Sequence, residues 1–160
     1  MHSSKSLDPT RIRSAIEAYL SLIDGQAKTD PTDLRNLALA LDRLVSEYNL
    51  TDGVEPSDSN VEPPEISWTD LYARAAASYP ELGYYPCADP TDAPDARSLV
   101  GDAIDDLADI ARDLSNVVWY FDQGRIADGI WQFRFDYQIH WGMHLHQLRV
   151  LLHSTKFAAW

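Results

Sequence analysis

With 160 residues, 45% of them hydrophobic, five Trp and eight Tyr, the chain suits one domain, 1–160, that buries a core without disulfides or metal staples. A formal charge of -12 and a pI near 4.6 argue against nucleic acid and anionic lipid as partners, because phosphate binding draws its affinity from Lys and Arg. The single Cys87 has no internal disulfide partner, no apolar run reaches the ~18 residues of a membrane span, and Met1-His2-Ser3-Ser4-Lys5 lacks a signal-peptide core, so a cytoplasmic location is expected.

Asp8-Pro9 is a helix start signal, an N-cap followed by proline, and Ile12, Ala15, Ile16, Tyr19, Leu20 and Ile23 then recur at helical spacing. Gly25 ends that segment. Asp30-Pro31 repeats the signal ahead of Leu34, Leu37, Ala38, Leu41, Leu44, Val45 and Tyr48, so helices over Pro9–Ile23 and Pro31–Tyr48 should form a helical hairpin.

Residues 49–65 hold Gly53, Pro56, Pro63 and Pro64 among Asp, Glu and Ser, a composition expected of a mobile acidic loop. From Asp52 to Asp95 ten acids face Arg74 alone, whereas Ile126 to Trp160 nets +1. Ser67-Trp68-Thr69-Asp70 approximates a capping box and opens a short helix, Trp68–Ser78, that Pro80 closes. Residues 80–94 carry four prolines, Gly83 and Tyr84-Tyr85, and read as an extended segment laid over the bundle by its aromatics.

The clearest helix is predicted over Asp95–Gln123, with Val100, Ala103, Ile104, Leu107, Ile110, Ala111, Leu114, Val118 and Phe121 on one side and Gly124 as C′ residue. Asp102, Asp106, Asp109 and Asp113 line up on it as a carboxylate ridge. The last helix, Arg125–His153, is unusually apolar and is expected at the centre of the bundle, its stripe running Ile126, Ile130, Phe133, Tyr137, Trp141, His144, Leu148 and Leu151 with His140 at the edge. No alternating strand pattern is visible. The predicted fold is all-α, a mostly antiparallel bundle of about five helices with a long acidic Pro-rich loop.

The runs Asp105-Asp106-Leu107-Ala108-Asp109-Ile110, Trp131-Gln132-Phe133-Arg134-Phe135 and His140-Trp141-Gly142-Met143-His144-Leu145 resemble an uncharacterised bacterial family, the domain of unknown function 5063, over about Tyr79 to Leu152. That resemblance implies a small all-helical protein with no assigned activity.

His140 and His144 stand at i, i+4, a spacing at which two rings can share one divalent metal. Asp136, one turn before His140, is a candidate orienting partner or third ligand, and Asp106, Asp109 and Asp113 on the neighbouring helix can add carboxylates. Such a set suits Zn, Fe or Mn. The same residues also read as boundary histidines hydrogen-bonded to the facing carboxylates, specifying how two helices pack. The short turn at Gly124 should set Asp109 level with His140, and Asp106 between His140 and His144 in height. The Asp105-Asp106-Leu107-Ala108-Asp109 run also fits the D-D-x-x-D pattern of prenyl-diphosphate enzymes, but the bundle is too small and lacks the second acidic motif. Gly142 suggests close contact or a kink, Arg134 and Arg149 neutralise nearby acids, and Cys87 is inert.

With no nucleophile and base, phosphate loop or complete metal motif, the leading expectation is a non-enzymatic protein-binding or regulatory domain. Its aromatics and acidic loop would contact a protein partner or a second copy in a homo-oligomer. The alternative is a metal-dependent enzyme, a hydrolase or oxidoreductase, built on an Asp/His cluster between the last two helices.

Overall fold

The computed structural model describes residues 8–155; the segment read for a signal peptide lies outside them. Helices α1 (Thr10–Leu20), α2 (Pro31–Leu50) and α3 (Trp68–Ser78) precede a small sheet of β1 (Tyr84–Cys87) and β2 (Leu99–Asp102), followed by α4 (Ala103–Asp122), α5 (Ile126–Asp136), a π-helical turn (Tyr137–Trp141) and α6 (Gly142–Ser154). Backbone angles stay helical through Tyr137 and Gly142, so the last three elements form one continuous helix and the bundle has five. The architecture is the expected, mostly helical one. Among the described residues no helix is long and apolar enough to cross a membrane.

The starts of α2 and α3 follow the signals in the sequence, whereas α1 is shorter than expected, running Thr10–Leu20 with Pro9 at its cap position and Asp8 accepting from the Thr10 amide at 2.9 Å. Asp30 accepts from the Thr32 amide while the Asp33 side chain accepts from the Asp30 amide, and Pro31 fills the first helical position. Ser67 caps α3 by accepting from the Asp70 amide at 3.2 Å. Gly124, at φ +70, makes the turn from α4 to α5 in the left-handed region that other residues avoid.

Several expectations need correction. Asp95–Asp102 is not helical: Leu99–Asp102 pairs antiparallel with Tyr84–Cys87, Tyr85 opposite Gly101 and Pro86 opposite Val100. Asp102 is thereby the N-cap of α4, accepting from the Ile104 amide at 2.9 Å, rather than a member of the carboxylate ridge. Its other oxygen accepts from the Tyr72 hydroxyl at 2.8 Å.

The centre of the bundle is α4, not the last helix: α4 packs against α1, α3, α5 and α6 and buries Ile104, Leu107, Ile110, Leu114 and Val117. The Tyr19 hydroxyl, wholly buried, donates to the Leu107 carbonyl at 2.9 Å and ties α1 to it. This bond satisfies a polar atom that burial would otherwise leave at a cost.

The third correction concerns the buried stripe of the last helix, which runs Ile130, Phe133, Trp141, Leu145, Leu148 and Leu152. His144 and Leu151, assigned to that stripe from a constant 3.6-residue period, sit partly exposed beside it. The π turn is the cause. The Gly142 amide reaches back to the Tyr137 carbonyl, five residues earlier, and the extra residue in that loop rotates everything after it.

Residues 51–67 form no regular structure and cross the α4–α5 end. There Asp128 accepts from the Ser57 amide at 2.6 Å and hydroxyl at 2.8 Å, and the Val61 carbonyl accepts from Tyr120 at 3.2 Å. Among the described residues Arg134 pairs with no acid; it donates to the carbonyls of Tyr48, at 2.8 Å, and Thr51, tying α5 to the end of α2. Arg149 does pair with an acid, Asp42, through two bonds of 2.7 and 3.1 Å.

Candidate metal centre

Asp106, Asp109 and Asp113 recur at i, i+3 and i+7 on α4 and are all buried, at 3%, 9% and 8% exposure. Carboxylates removed from water on one helix face repel one another and lose hydration unless each finds a donor. The partners come mainly from the last helix. His140 Nδ1 donates to Asp113 Oδ2 and His144 Nδ1 to Asp106 Oδ1, both at 2.6 Å. Since the sequence descends from Asp113 to Asp106 as it ascends from His140 to His144, the two helices run antiparallel.

This pairing fixes where the rest of each imidazole points. A carboxylate only accepts, so the Nδ1 atoms carry protons, and the Nε2 atoms, which hold lone pairs in the neutral rings, lie on the far side. Both Nε2 atoms face one oxygen, Asp109 Oδ2, at 3.8 Å from His140 and 3.5 Å from His144. The other oxygen of Asp109 is held by Arg112 Nη2 at 3.0 Å. His140, His144 and Asp109 each offer one ligand atom, and the three atoms lie within 4.8 Å of one another.

These separations exceed an ordinary N–H···O hydrogen bond. They are close to the spacing of atoms that share an ion, because ligands ~2.0–2.2 Å from one tetrahedral ion stand roughly 3.3–3.6 Å apart. The Nδ1–carboxylate bonds are the supporting arrangement that metal-ligating histidines normally have. The donor set therefore fits a mononuclear ion with two imidazoles and one carboxylate.

Electrostatics set the metal-free behaviour. The Asp106 carboxylate beside His144 raises that imidazole's pKa above its usual value by favouring the cation, against the opposing effect of burial. Burial raises the Asp105 carboxyl, with Asp109 adding to it. Asp136 is raised to about 6, first by burial and then by the charge of Asp113, while a hydrogen bond from Gln132 works the other way.

Of the residues singled out from sequence, the structure brings Asp106, Asp109, Asp113, His140 and His144 together. Asp136 stands apart from the ligand atoms: its carboxylate accepts from Gln132 Nε2 at 2.7 Å instead of orienting an imidazole. The expected register holds for Asp109, which faces both imidazoles, and to within half a turn for Asp106, which meets His144, and is off by about a turn for Asp113, which bonds His140. Two aspartates two turns apart lean inward along the axis to bracket two histidines one turn apart, which level counting along straight helices does not foresee.

The sequence reading missed Arg112 and Tyr85. Arg112 stands within an acidic run and spans Asp109 and Asp113, its Nε 3.7 Å from Asp113 Oδ1. Tyr85 donates to Asp106 Oδ2 at 2.5 Å; its aromatic pair with Tyr84 marked the segment without marking the contact.

The family described as Domain of unknown function (DUF5063) matches residues 9–158. The chain belongs to that family. No curated protein and no solved structure matches it. The family match takes in all three runs and extends over the first two helices, beyond the Tyr79–Leu152 span of the resemblance seen in the sequence.

Proposed function

We propose that this member of the domain of unknown function 5063 family binds one divalent transition metal, Zn, Fe or Mn, and acts as a metal-dependent enzyme, a hydrolase or an oxidoreductase. The ligands are His140 Nε2, His144 Nε2 and Asp109 Oδ2. One observation carries the reading: both Nδ1–H groups are occupied by Asp113 and Asp106, and both Nε2 atoms converge on one carboxylate oxygen.

Three protein ligands leave coordination positions for water and substrate, the hallmark of catalytic over structural sites. A hydrolase would use the ion to make hydroxide from bound water near neutral pH. An oxidoreductase would use the open positions that two histidines and one carboxylate leave on Fe. An apolar groove of about 550 Å³ between β1 and α6, walled by Tyr85, Pro86, Met143 and Val150, is of a size that takes small molecules, but none of the three ligands lines it.

The test is elemental analysis of protein purified without a metal-affinity tag, followed by titration of chelator-treated protein with Zn, Mn and, under anaerobic conditions, Fe(II). About one equivalent of ion is expected, lost in His140→Ala and Asp109→Ala. Protein that neither carries nor takes up an ion sinks the proposal.

A second reading, a non-enzymatic protein-binding domain or homo-oligomer, draws support from large apolar side chains left in solvent. Tyr84 is 80% exposed, Val100 76%, Val150 65% and Ile139 64%. Sedimentation at rising concentration checks self-association, and a monomer across the range leaves only a foreign partner.

A further inference from the structure

We propose that Tyr85 is a positioning residue of this metal site, acting through Asp106 on His144; the inference rests on the metal reading above. The side chain belongs to the small sheet, 21 residues before Asp106, and serves the site from outside both ligand-bearing helices.

Its geometry follows from strand alternation. Along β1, Tyr84 and Pro86 face solvent and Tyr85 turns inward to 6% exposure. Opposite it in register lies Gly101, and a Cβ there would fall 2.7 Å from the Tyr85 ring and 3.0 Å from its hydroxyl oxygen. Only a residue without a side chain lets the phenol cross β2 to reach α4.

There the hydroxyl donates to Asp106 Oδ2, while Asp106 Oδ1 accepts from the Nδ1–H of His144. A carboxylate held through one oxygen can still swing about its last torsion, which is broad for Asp. Held through both oxygens from two different elements, it has one plane. That plane fixes the His144 ring, and with it the line from Nε2 to Asp109 Oδ2.

His140 lacks an equivalent of this kind. The second oxygen of its carboxylate, Asp113, lies 3.7 Å from Arg112 Nε, on a side chain 35% exposed. The deeper imidazole is braced by a buried phenol and the shallower one by a guanidinium at the surface. A buried tyrosine whose one hydrogen bond ends on the carboxylate behind a ligand histidine fits a positioning role better than a packing role, which phenylalanine would serve.

The test compares Tyr85→Phe with wild type by Co(II) titration, following affinity and the visible ligand-field absorption. Replacing a partner directly behind a metal ligand typically costs 10–100-fold in affinity, so one bond further out a loss of about 3–10-fold is expected, with altered Co(II) absorption and unchanged helical circular dichroism. Tyr72→Phe, which removes the hydrogen bond to Asp102 at the start of α4, is the control for mere loss of a tyrosine hydroxyl and should leave both readouts unchanged. Gly101→Ala should reproduce the Tyr85→Phe absorption by displacing the ring. Wild-type affinity and absorption in Tyr85→Phe would overturn the role of Tyr85 while leaving the metal site standing, and so would an equal change in Tyr72→Phe. Failure of the wild-type protein to bind Co(II) would instead remove the metal reading itself, and this inference with it.

Discussion

A Cβ on Gly142 would lie 2.2 Å from the carbonyl oxygen of Tyr137. That carbonyl is the acceptor of the Gly142 amide in the π turn, so the five-residue hydrogen bond is possible only with glycine at its donor end. π turns cluster at functional sites because they re-aim side chains, and this one contains His140. Gly142→Ala should therefore destabilise the protein by about 1–3 kcal/mol, the range for forcing atoms into packed space. It should also weaken metal binding by moving His140 relative to His144. Urea unfolding and metal titration of the variant read the two effects separately; an alanine tolerated with no change in either removes this account of the turn.

Asp113→Asn keeps the shape of the side chain behind His140 and removes its charge. With a neutral acceptor at Nδ1 the imidazole loses basicity, and metal affinity should fall about 10–100-fold with little change in helix content. Asp42→Asn, which breaks the distant pair with Arg149, should leave affinity unchanged, and equal losses in the two variants would count against a local role for Asp113.

Stability of the chelator-treated protein should decline with pH in two steps. The folded pKa of Asp136, about 6, is above the ordinary value of 3.8, so the cost of its buried charge is absent at low pH and grows as pH rises between those values. The His144 pKa is raised above 6.5 by Asp106, so its stabilising contribution is fully present below 6.5 and is lost as pH rises through the folded value. Thermal melts from pH 4 to 8 should show both, and Asp136→Asn should flatten the lower step alone. A melting temperature that rises between pH 4 and 6 in wild type but not in Asp136→Asn would contradict the sign.

Tyr19→Phe deletes the hydroxyl that joins α1 to α4 and leaves the Leu107 carbonyl without that donor. The expected loss is about 0.5–1.5 kcal/mol, measured by urea unfolding, with metal binding intact. A variant of wild-type stability would mean that the bond contributes nothing net.

The helices were legible because their chemistry is local: Asp30-Pro31 and Ser67 announce the starts of α2 and α3, and Leu34, Leu37, Leu41 and Leu44 keep the helical period. The small sheet was not, for a physical reason. Its strands are four residues long, two of their members are Pro86 and Gly101, and their pairing spans residues 88–98, so no local propensity points to it. The π turn is marked in the sequence by Gly142 alone, which suggests a kink without its kind, and a constant period carried past Trp141 put His144 and Leu151 where Leu145 and Leu152 belong. Within the candidate site, the acids and histidines were legible from their spacing on two neighbouring helices. Which acid meets which histidine depends on side chains reaching along the axis, and Tyr85 depends on a strand that was not foreseen.

The donors of Asp109, Asp106 and Asp113 lie on both sides of them in the chain, and on the metal reading proposed above this bears on when an ion could be acquired. His140, the first of the two imidazoles, follows Asp109 by 31 residues, about 2–6 s of synthesis at 5–20 residues per second. During that interval α4 emerges from the ribosome with three carboxylates on one face and neither imidazole, a surface that can attract hard cations such as Mg loosely but has no nitrogen donors to hold a transition metal. Loading would wait until the last helix has folded back, so discrimination among metals would fall to the finished molecule rather than to the nascent chain.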